Sequence, residues 1–209
     1  MRVVAFNGSP RESGATARGI SAMLAGLERE GIETEAVHVG GAPVRGCMAC
    51  GECRKLGRGC VIGGGGDLVA EARAKIIAAD GVILGSPVYY GGIAGAFKCF
   101  LDRLFFPAPG LSYKVGASVA SLRRSGGIAV FHQLNNYFNL AQMVITPSLY
   151  WGVIHGNSAE EAGRDLEGIQ IMEAQGRNMA WLLKALAAGG REAPPPPPLP
   201  ERKQTNFIR

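Results

Sequence analysis

The chain has 209 residues, 47% of them hydrophobic, and a formal net charge of +5. This length and apolar content predict one globular domain with a sizeable core. No stretch approaches the roughly twenty apolar residues of a membrane span, and we recognise no signal peptide, so we expect a cytoplasmic protein with no membrane partner. Lysine and arginine are dispersed rather than clustered among aromatic residues, which argues against nucleic acid as a partner.

Short apolar segments alternate with amphipathic segments along most of the chain. Strands are predicted at residues 3–6, 33–39, 82–84, 114–121 and 148–155. Apolar positions three and four residues apart predict helices between them, including one from Phe131 through Ile145 and a long last helix from Leu166 to Leu186. This order predicts a doubly wound α/β fold with helices on both faces of a parallel sheet. Its ligand should lie at the carboxyl ends of strands one, three and four.

The first strand runs into a polar turn at residues 7–16, just before a predicted helix. A helix N-terminus favours an anion, and hydroxyl groups add directed donors, so the turn predicts a phosphate site. The alternative is an ordinary strand–helix turn. Neither the P-loop pattern G-x-x-x-x-G-K-S/T nor the dinucleotide fingerprint G-x-G-x-x-G is present. A phosphomonoester remains, with FMN the obvious candidate.

Two later loops suit the flat ring of a flavin. Residues 87–92 place two tyrosines between a proline and two glycines, which can line a heteroaromatic ring. Residues 123–127 bring two arginines and several amides, which can stabilise negative charge on a reduced ring. Half-buried loop aromatics and surface arginines are the respective alternatives.

Four of the five cysteines stand in a long predicted loop at residues 42–66. They are Cys47, Cys50, Cys53 and Cys60. Their spacing, C-x2-C-x2-C-x6-C, suits a [4Fe-4S] cluster, because closely spaced cysteines can bind successive corners and the fourth can close the set. Structural zinc and free, redox-active thiols are the alternatives. Cys99 stands on a predicted helix and is interpreted as a small buried residue.

The three histidines, His38, His132 and His155, are scattered and support no Ser-His-Asp arrangement. We interpret each as structural or superficial. No catalytic side chain is predicted, because a bound flavin performs the electron or hydride step itself.

Taken together, these motifs resemble the flavodoxin-like NADPH-dependent FMN reductase family, and within it the iron-sulfur flavoprotein branch. The segments that carry the resemblance are 8–16, 86–90, 123–127, 150–151 and 205–209. It extends over nearly the whole chain. It implies a flavodoxin-like five-stranded parallel sheet of order 2-1-3-4-5, bound FMN, and a homodimer or homotetramer in which loops of one subunit cover the flavin of another.

The resemblance also implies site residues by position. Phosphate contacts would fall on Ser9, Arg11, Ser13, Ala15 and Thr16. Ring contacts would fall on Pro87, Val88, Tyr89, Tyr90, Gly91, Arg124, Ser125 and Gly126. The four cysteines of the loop would be the ligands of the [4Fe-4S] cluster.

The sequence therefore predicts an FMN-dependent oxidoreductase that reduces quinones, flavins or similar small acceptors. With a cluster, single electrons would come from a ferredoxin-like donor; without one, NAD(P)H would dock transiently and deliver a hydride. The alternative is a non-catalytic redox or iron sensor that uses the cysteine loop. The FMN-binding domain is predicted over residues 1–190, followed by a proline-rich, extended tail at residues 191–209.

Overall fold

The computed structural model describes residues 1–63, 67–106 and 110–189. The predicted tail at residues 191–209, which includes the segment 205–209 of the family resemblance, lies outside the described residues, as does part of the glycine cluster in the cysteine loop. Within the described ranges, none of the helices combines the length and the apolar character needed to cross a membrane.

A parallel sheet forms the centre of the molecule. Its strands are β1 (Arg2–Asn7), β2 (Glu33–His38), β3 (Gly81–Tyr89), β5 (Val115–Leu122), β6 (Val144–Ile145) and β7 (Val153–His155), and β4 (Gly92–Ile93) folds back on β3. The order is β2-β1-β3-β5-β6, with β7 also paired to β5. Since β5 is the predicted fourth strand and β6 and β7 share the fifth position, the flavodoxin-like order 2-1-3-4-5 is confirmed.

Helices cover both faces of the sheet. They are α1 (Ala15–Glu28), α2 (Glu52–Lys55), α3 (Leu68–Ala78), α4 (Gly95–Phe105), α5 (Gly127–Leu140), α6 (Ala159–Arg164) and α7 (Leu166–Gly189). Successive side chains of a strand point to opposite faces. Accordingly, Val3 and Ala5 pack with α1 and α7, whereas Val4 and Phe6 pack with α3, α4 and α5. One buried strand thus serves two hydrophobic cores.

The last strand and the helix before it differ from prediction. The fifth strand was expected over residues 148–155, but the sheet edge consists of two short pieces, β6 and β7. Between them Pro147 has no amide hydrogen for the ladder, and a side chain at Gly152 would collide with the Ser118 carbonyl. The predicted helix through Ile145 is also wrong at its end. Helix α5 stops at Leu140, and the chain turns at Gln142, whose φ is 58°.

The third strand is longer than predicted, because its ladder with β5 continues through Ser86 and Pro87. The predicted loop at residues 42–66 is confirmed over its described part, apart from the short helix α2. Asp67 caps α3 as its place before the helix predicts, accepting a hydrogen bond from the Ala70 amide at 2.9 Å.

Candidate functional site

The loops after β1, β3 and β5 meet at the carboxyl end of the sheet, around Ser121. The Thr16 hydroxyl, at the start of α1, lies 2.6 Å from the Ser121 hydroxyl. Pro87, near the end of β3, is the ladder partner of Ser121. Three predicted site segments are therefore joined at one residue that the sequence analysis did not single out.

The turn between β1 and α1 is held by a dense set of hydrogen bonds. Asn7 donates to the Glu12 carbonyl at 2.9 Å and accepts from the Ser9 amide at 3.1 Å. His38, at the end of β2, donates through Nε2 to the Ser9 carbonyl at 2.8 Å. A side chain at Gly8 would collide with the Phe97 ring. The backbone of this turn is consequently fixed before any ligand arrives.

The same turn exposes donors that have no partner. Gly14 is the N-cap of α1, and no side chain caps the helix. Within the described part of the chain, the amides of residues 12–17 donate to no acceptor. Ser9 is buried and its hydroxyl accepts from the Arg11 amide at 3.1 Å, so its own hydrogen remains available. Such a group of donors at a helix N-terminus suits a phosphate.

The remaining predicted phosphate residues lie around these donors. The Ala15 and Thr16 amides belong to the first turn of α1, and Ser13 is exposed just before it. Arg11 extends across to the loop after β7, where it donates to the Asn157 carbonyl at 2.8 Å. The structure therefore brings the five predicted phosphate residues into one turn, with Arg11 linking it to a neighbouring loop.

Asp165 organises that neighbouring loop. Its carboxylate accepts from the His155 amide at 2.7 Å and from the Gly168 amide at 3.0 Å. Burial alone would raise the pKa of Asp165, but these hydrogen bonds and the His155 side chain more than offset it, so the pKa lies below its ordinary value. The carboxylate is thus held in its charged form beside the segment that Arg11 contacts.

The loop after β3 is a tight hairpin. Tyr90 and Gly91 have φ values of 50° and 73° and form a two-residue connection between β3 and β4, the geometry of a type I′ turn. The Tyr90 side chain is fully exposed and Tyr89 is half exposed. Gln133 of α5 supports the turn by donating to the Gly91 carbonyl at 3.3 Å.

The loop after β5 lies directly against this hairpin. Gly126 is the N-cap of α5 with a φ of 89° and no side-chain cap. A side chain at Gly126 would approach Val88 to 3.0 Å. Arg124 and Ser125 are exposed just before it. Of the eight predicted ring residues, Pro87, Val88 and Tyr89 therefore belong to the end of β3, Tyr90 and Gly91 to the hairpin, and Arg124, Ser125 and Gly126 to the loop beside it. Together they present aromatic, cationic and amide groups.

The cysteine loop is more open than these turns. Cys47 and Cys50 are exposed, whereas Cys53, on α2, and Cys60 are partly buried. The Ala49 amide donates to the Cys47 sulfur at 3.4 Å. Among the residues that the structure describes, no three His, Cys, Asp or Glu side chains are gathered so as to hold a metal ion. The donors suit iron or zinc chemically, but they are not assembled into a site here.

The side chain of Arg103, on α4, forms hydrogen bonds with several residues of this loop. Its side chain is almost fully buried and pairs with Asp67. It donates to the Cys60 sulfur at 3.3 Å, the Arg45 carbonyl at 3.4 Å and the Ile62 carbonyl at 2.6 Å. Burial would lower the pKa of Arg103, but its interactions with Cys60 and Asp67 outweigh this effect and raise the pKa, so it remains a cation.

The sequence analysis missed the residues that support the site. Asn7 had a local signal, since an asparagine at a strand end commonly bonds the following turn. Ser121, Gln133 and Arg103 had none, because each acts through contacts between segments distant in sequence. His38 was interpreted as structural or superficial, and its bond to the Ser9 carbonyl is a structural role.

Known proteins are similar to this chain over most of its length. A family model described as NADPH-dependent FMN reductase matches residues 1–158. An iron-sulfur flavoprotein of Methanocaldococcus jannaschii is 31% identical over 195 residues, covering 89% of this chain and 99% of that protein. An iron-sulfur flavoprotein of Methanosarcina thermophila is 30% identical over 192 residues, covering 89% of this chain and 97% of that protein.

Solved structures share the fold. RosB, solved with bound 8-demethyl-8-formylriboflavin-5'-phosphate, superposes with a TM-score of 0.70 at 17% identity, covering 100% of this chain and 94% of RosB. A flavodoxin from the domain Archaea superposes with a TM-score of 0.58 at 15% identity, covering 88% and 99% of the two chains. The family match and the curated relatives identify this chain as a member of the NADPH-dependent FMN reductase family, together with proteins named iron-sulfur flavoproteins.

Proposed function

We propose that this protein is an FMN-dependent oxidoreductase whose flavin binds where the loops after β1, β3 and β5 meet. The observation that carries the proposal is the convergence on Ser121, which bonds the Thr16 hydroxyl at 2.6 Å and pairs with Pro87. Next to this point lie the amides of residues 12–17, which have no acceptor within the described part of the chain. They fit the terminal phosphate of FMN.

In this proposal the turn before α1 binds the phosphate. The amides of residues 12–17, including that of Ala15, and the hydroxyls of Ser9, Ser13 and Thr16 would donate to its oxygens. Hydrogen bonds to a charged group contribute about 1.5–3 kcal/mol each. The positive end of the α1 dipole adds to this attraction. Arg11 supplies a cation at the rim while it is bonded to Asn157.

Residues 87–91 and 124–126 would bind the ring. Gly91 and Gly126 have no side chains, so backbone amides can approach its edge. The exposed rings of Tyr89 and Tyr90 can cover its face. Arg124 places positive charge where it would stabilise negative charge on the ring. When bound, FMN supplies hydride acceptance and single-electron transfer, chemistry that no side chain of the protein provides.

We extend the proposal to the cysteine loop, where Cys47, Cys50, Cys53 and Cys60 would hold a [4Fe-4S] cluster. The compact spacing, the presence of four thiols and the names of the relatives support it. Hydrogen bonds to two of the sulfurs, from Ala49 and Arg103, are of the kind that tunes such centres. A cluster would carry single electrons from a ferredoxin-like donor, and NAD(P)H is the alternative reductant.

The phosphate turn is tested by measuring FMN affinity. Ser9→Ala and Thr16→Ala should each weaken FMN binding about tenfold or more, because each removes a hydroxyl donor to a charged group. Ser112→Ala, in the loop that precedes β5 at the opposite end of the sheet, is the matched control. Flavin fluorescence titration of flavin-free protein gives the dissociation constants. Equal affinity in all four proteins would rule out this phosphate site.

Turnover separates an enzyme from the alternative sensor. Under anaerobic conditions, NAD(P)H or reduced ferredoxin is expected to drive reduction of a quinone or free flavin by the purified protein. Bound flavin without turnover by either donor, together with an iron-dependent change in assembly, would favour the sensor instead.

We also propose a homodimer or homotetramer. Leu149, Tyr150 and Trp151 form an exposed apolar segment between β6 and β7, which suits contact between subunits. Light scattering of the flavin-loaded protein would measure its mass in solution, and a monomer at all concentrations would contradict this assignment.

A further inference from the structure

The cysteine loop packs on one face of α4. Cys99 and Arg103 stand four residues apart on α4 and therefore share a face of the helix. A side chain at Gly46, the residue before Cys47, would lie 3.3 Å from the Cys99 sulfur. Arg103 contacts both the start and the end of the loop, through the Arg45 carbonyl and the Ile62 carbonyl.

The position of Arg103 is unusual for an arginine. Arginine is seldom fully buried unless it is paired, and the Arg103 side chain is only 3% exposed. Its opposite charge is Asp67, which also caps α3. A simple ion pair with Asp67 would need only one edge of the guanidinium, yet the other donors are directed to the loop. Nε in particular donates to a sulfur, at 3.3 Å from Cys60.

The sulfur contact has a chemical consequence. Cysteine binds metal through its sulfur, and the hydrogen bond from the Arg103 guanidinium fixes where the Cys60 sulfur lies. Hydrogen bonds to sulfur also set the behaviour of iron-sulfur centres. Of the four cysteines in the loop, Cys60 is the one for which a hydrogen bond from a charged side chain is found in the described ranges.

We propose that Arg103 is the positioning residue of the cysteine loop. It holds the Cys60 sulfur through its Nε–H and fixes both ends of the loop, so that Cys60 is a preset ligand while Cys47 and Cys50 stay exposed on the outer part. This inference rests on the proposed ligand role of the four cysteines. It adds a residue outside the cysteine motif that decides how well the loop takes up metal.

The test compares Arg103→Gln and Arg103→Lys with Arg58→Gln. Arg58 is an exposed arginine of the same loop whose side chain makes no bond to a cysteine in the described residues, so its replacement controls for the loss of charge. Lysine keeps the charge opposite Asp67 but lacks the planar set of donors. If Arg103→Gln does not fold, Arg103→Lys is therefore the variant that tests the proposal.

The first measurement needs no metal. FMN-loaded, iron-free protein is labelled with iodoacetamide at about pH 9.5, above the ordinary thiol pKa of about 8.5, so that the rate reports access to the sulfur and not its protonation. Each cysteine is followed by peptide mass spectrometry. In both Arg103 variants, Cys60 should be labelled about tenfold faster than in the wild type, the factor expected from losing one charged hydrogen bond. Circular dichroism of each variant controls for general unfolding, because the Cys99 sulfur lies close to Gly46 of the same loop and release of the loop can expose it as well. Wild-type labelling of Cys60 in a folded Arg103 variant would overturn the proposal.

The second measurement is anaerobic reconstitution with ferrous iron and sulfide, with iron and FMN assayed on the same sample. The Arg103 variants should bind less iron than Arg58→Gln at equal FMN content, and equal iron in all of them would overturn the proposal. If the wild type takes up no iron, the cluster part of the proposed function fails. Faster labelling of Cys60 in the Arg103 variants would then still support the proposal that Arg103 positions Cys60. Unchanged labelling would overturn that proposal.

Discussion

The turn before α1 and the cysteine loop each follow a strand of the same sheet, yet they are held in different ways. The turn follows β1, which is buried between β2 and β3, and bonds from Asn7 and His38 fix its backbone. The cysteine loop follows β2 at the sheet edge and lies mostly on the surface. Among the described residues, one side chain, that of Arg103, bonds both of its ends.

Under the proposed function, this difference would separate an FMN site that is already formed in the folded protein from a metal site that is formed only when the metal binds. The turn presents unpaired amides in a fixed arrangement, so binding there costs little further ordering. The cysteine loop offers two exposed thiols and two partly buried ones, not gathered into a metal site in the described residues. If the loop binds the proposed cluster, the metal would have to contribute the remaining order, as it does in other small metal-binding loops.

The largest expected effect is the loss of iron on changing one cysteine. Cys50→Ser should abolish bound iron while leaving FMN content unchanged, because it removes a sulfur ligand and changes no residue of the phosphate turn. Cys99→Ser, on α4, is the matched control and should retain iron. Iron and flavin assays on protein purified without oxygen provide the measurement. Full iron in Cys50→Ser would remove this residue from the ligand set.

Adding one methyl group to each region compares their rigidity. Gly8→Ala would collide with the buried Phe97 ring, and we expect it to lower the free energy of unfolding by about 1–3 kcal/mol. Gly46→Ala would meet the Cys99 sulfur at 3.3 Å, in a loop that can shift, and should cost far less. Gly95→Ala, with open space around it, is the control. Urea unfolding curves would measure all three, and equal costs at positions 8 and 46 would contradict the comparison.

Replacing Tyr90 tests whether this strained residue of the hairpin after β3 lowers the stability of the protein but strengthens FMN binding. A tyrosine with a φ of 50° is strained, whereas asparagine followed by glycine is preferred in a type I′ turn. Tyr90→Asn should therefore raise the free energy of unfolding of the flavin-free protein by about 1 kcal/mol, and it should weaken FMN binding.

Tyr89→Asn is the control for this substitution, because Tyr89 does not have a positive φ and no gain in stability is expected. If Tyr90→Asn is stabilised and still binds FMN with wild-type affinity, Tyr90 does not contact the ring.

The smallest expected effect concerns pH and the loop that Arg11 contacts. Because the folded protein holds the pKa of Asp165 below its ordinary value, the carboxylate contributes stability above its unfolded pKa of about 3.9. This contribution is lost as the pH falls through the folded pKa. Asp165→Asn should thus be destabilised by about 1 kcal/mol near neutral pH, with the difference shrinking below about pH 4. A difference that does not change with pH would show that charge is not involved.

Sequence patterns predicted the fold and the main parts of the site because both depend on local signals. The buried strand before Asn7 and the helical spacing after Thr16 predict a strand, a turn and a helix, and the rule that ligands bind at carboxyl ends of parallel strands gathers three such loops. The supporting contacts could not be predicted in this way. Arg103 and Cys60 are 43 residues apart, and a buried arginine on an amphipathic helix has the same local pattern as an exposed one.

The divided fifth strand is a second case in which the sequence pattern does not predict the structure. Residues 148–155 contain enough apolar and aromatic side chains to predict a strand, but Leu149, Tyr150 and Trp151 are exposed and lie outside the ladder. Their apolar character therefore does not reflect burial in the sheet, and the proposed contact between subunits would account for it. Tyr150 and Trp151 instead pack on each other, with ring centroids 4.4 Å apart.

The broken edge at β6 and β7 also affects how copies of the chain can associate. An edge strand with a long row of free amides and carbonyls invites backbone pairing with another molecule and, in the extreme, aggregation. Here two residues of β6 and three of β7 flank Pro147 and the turn that follows it, so no continuous edge is offered on that side. Association there must depend on the fit of side chains, which confers selectivity and keeps the protein from extending its sheet indefinitely.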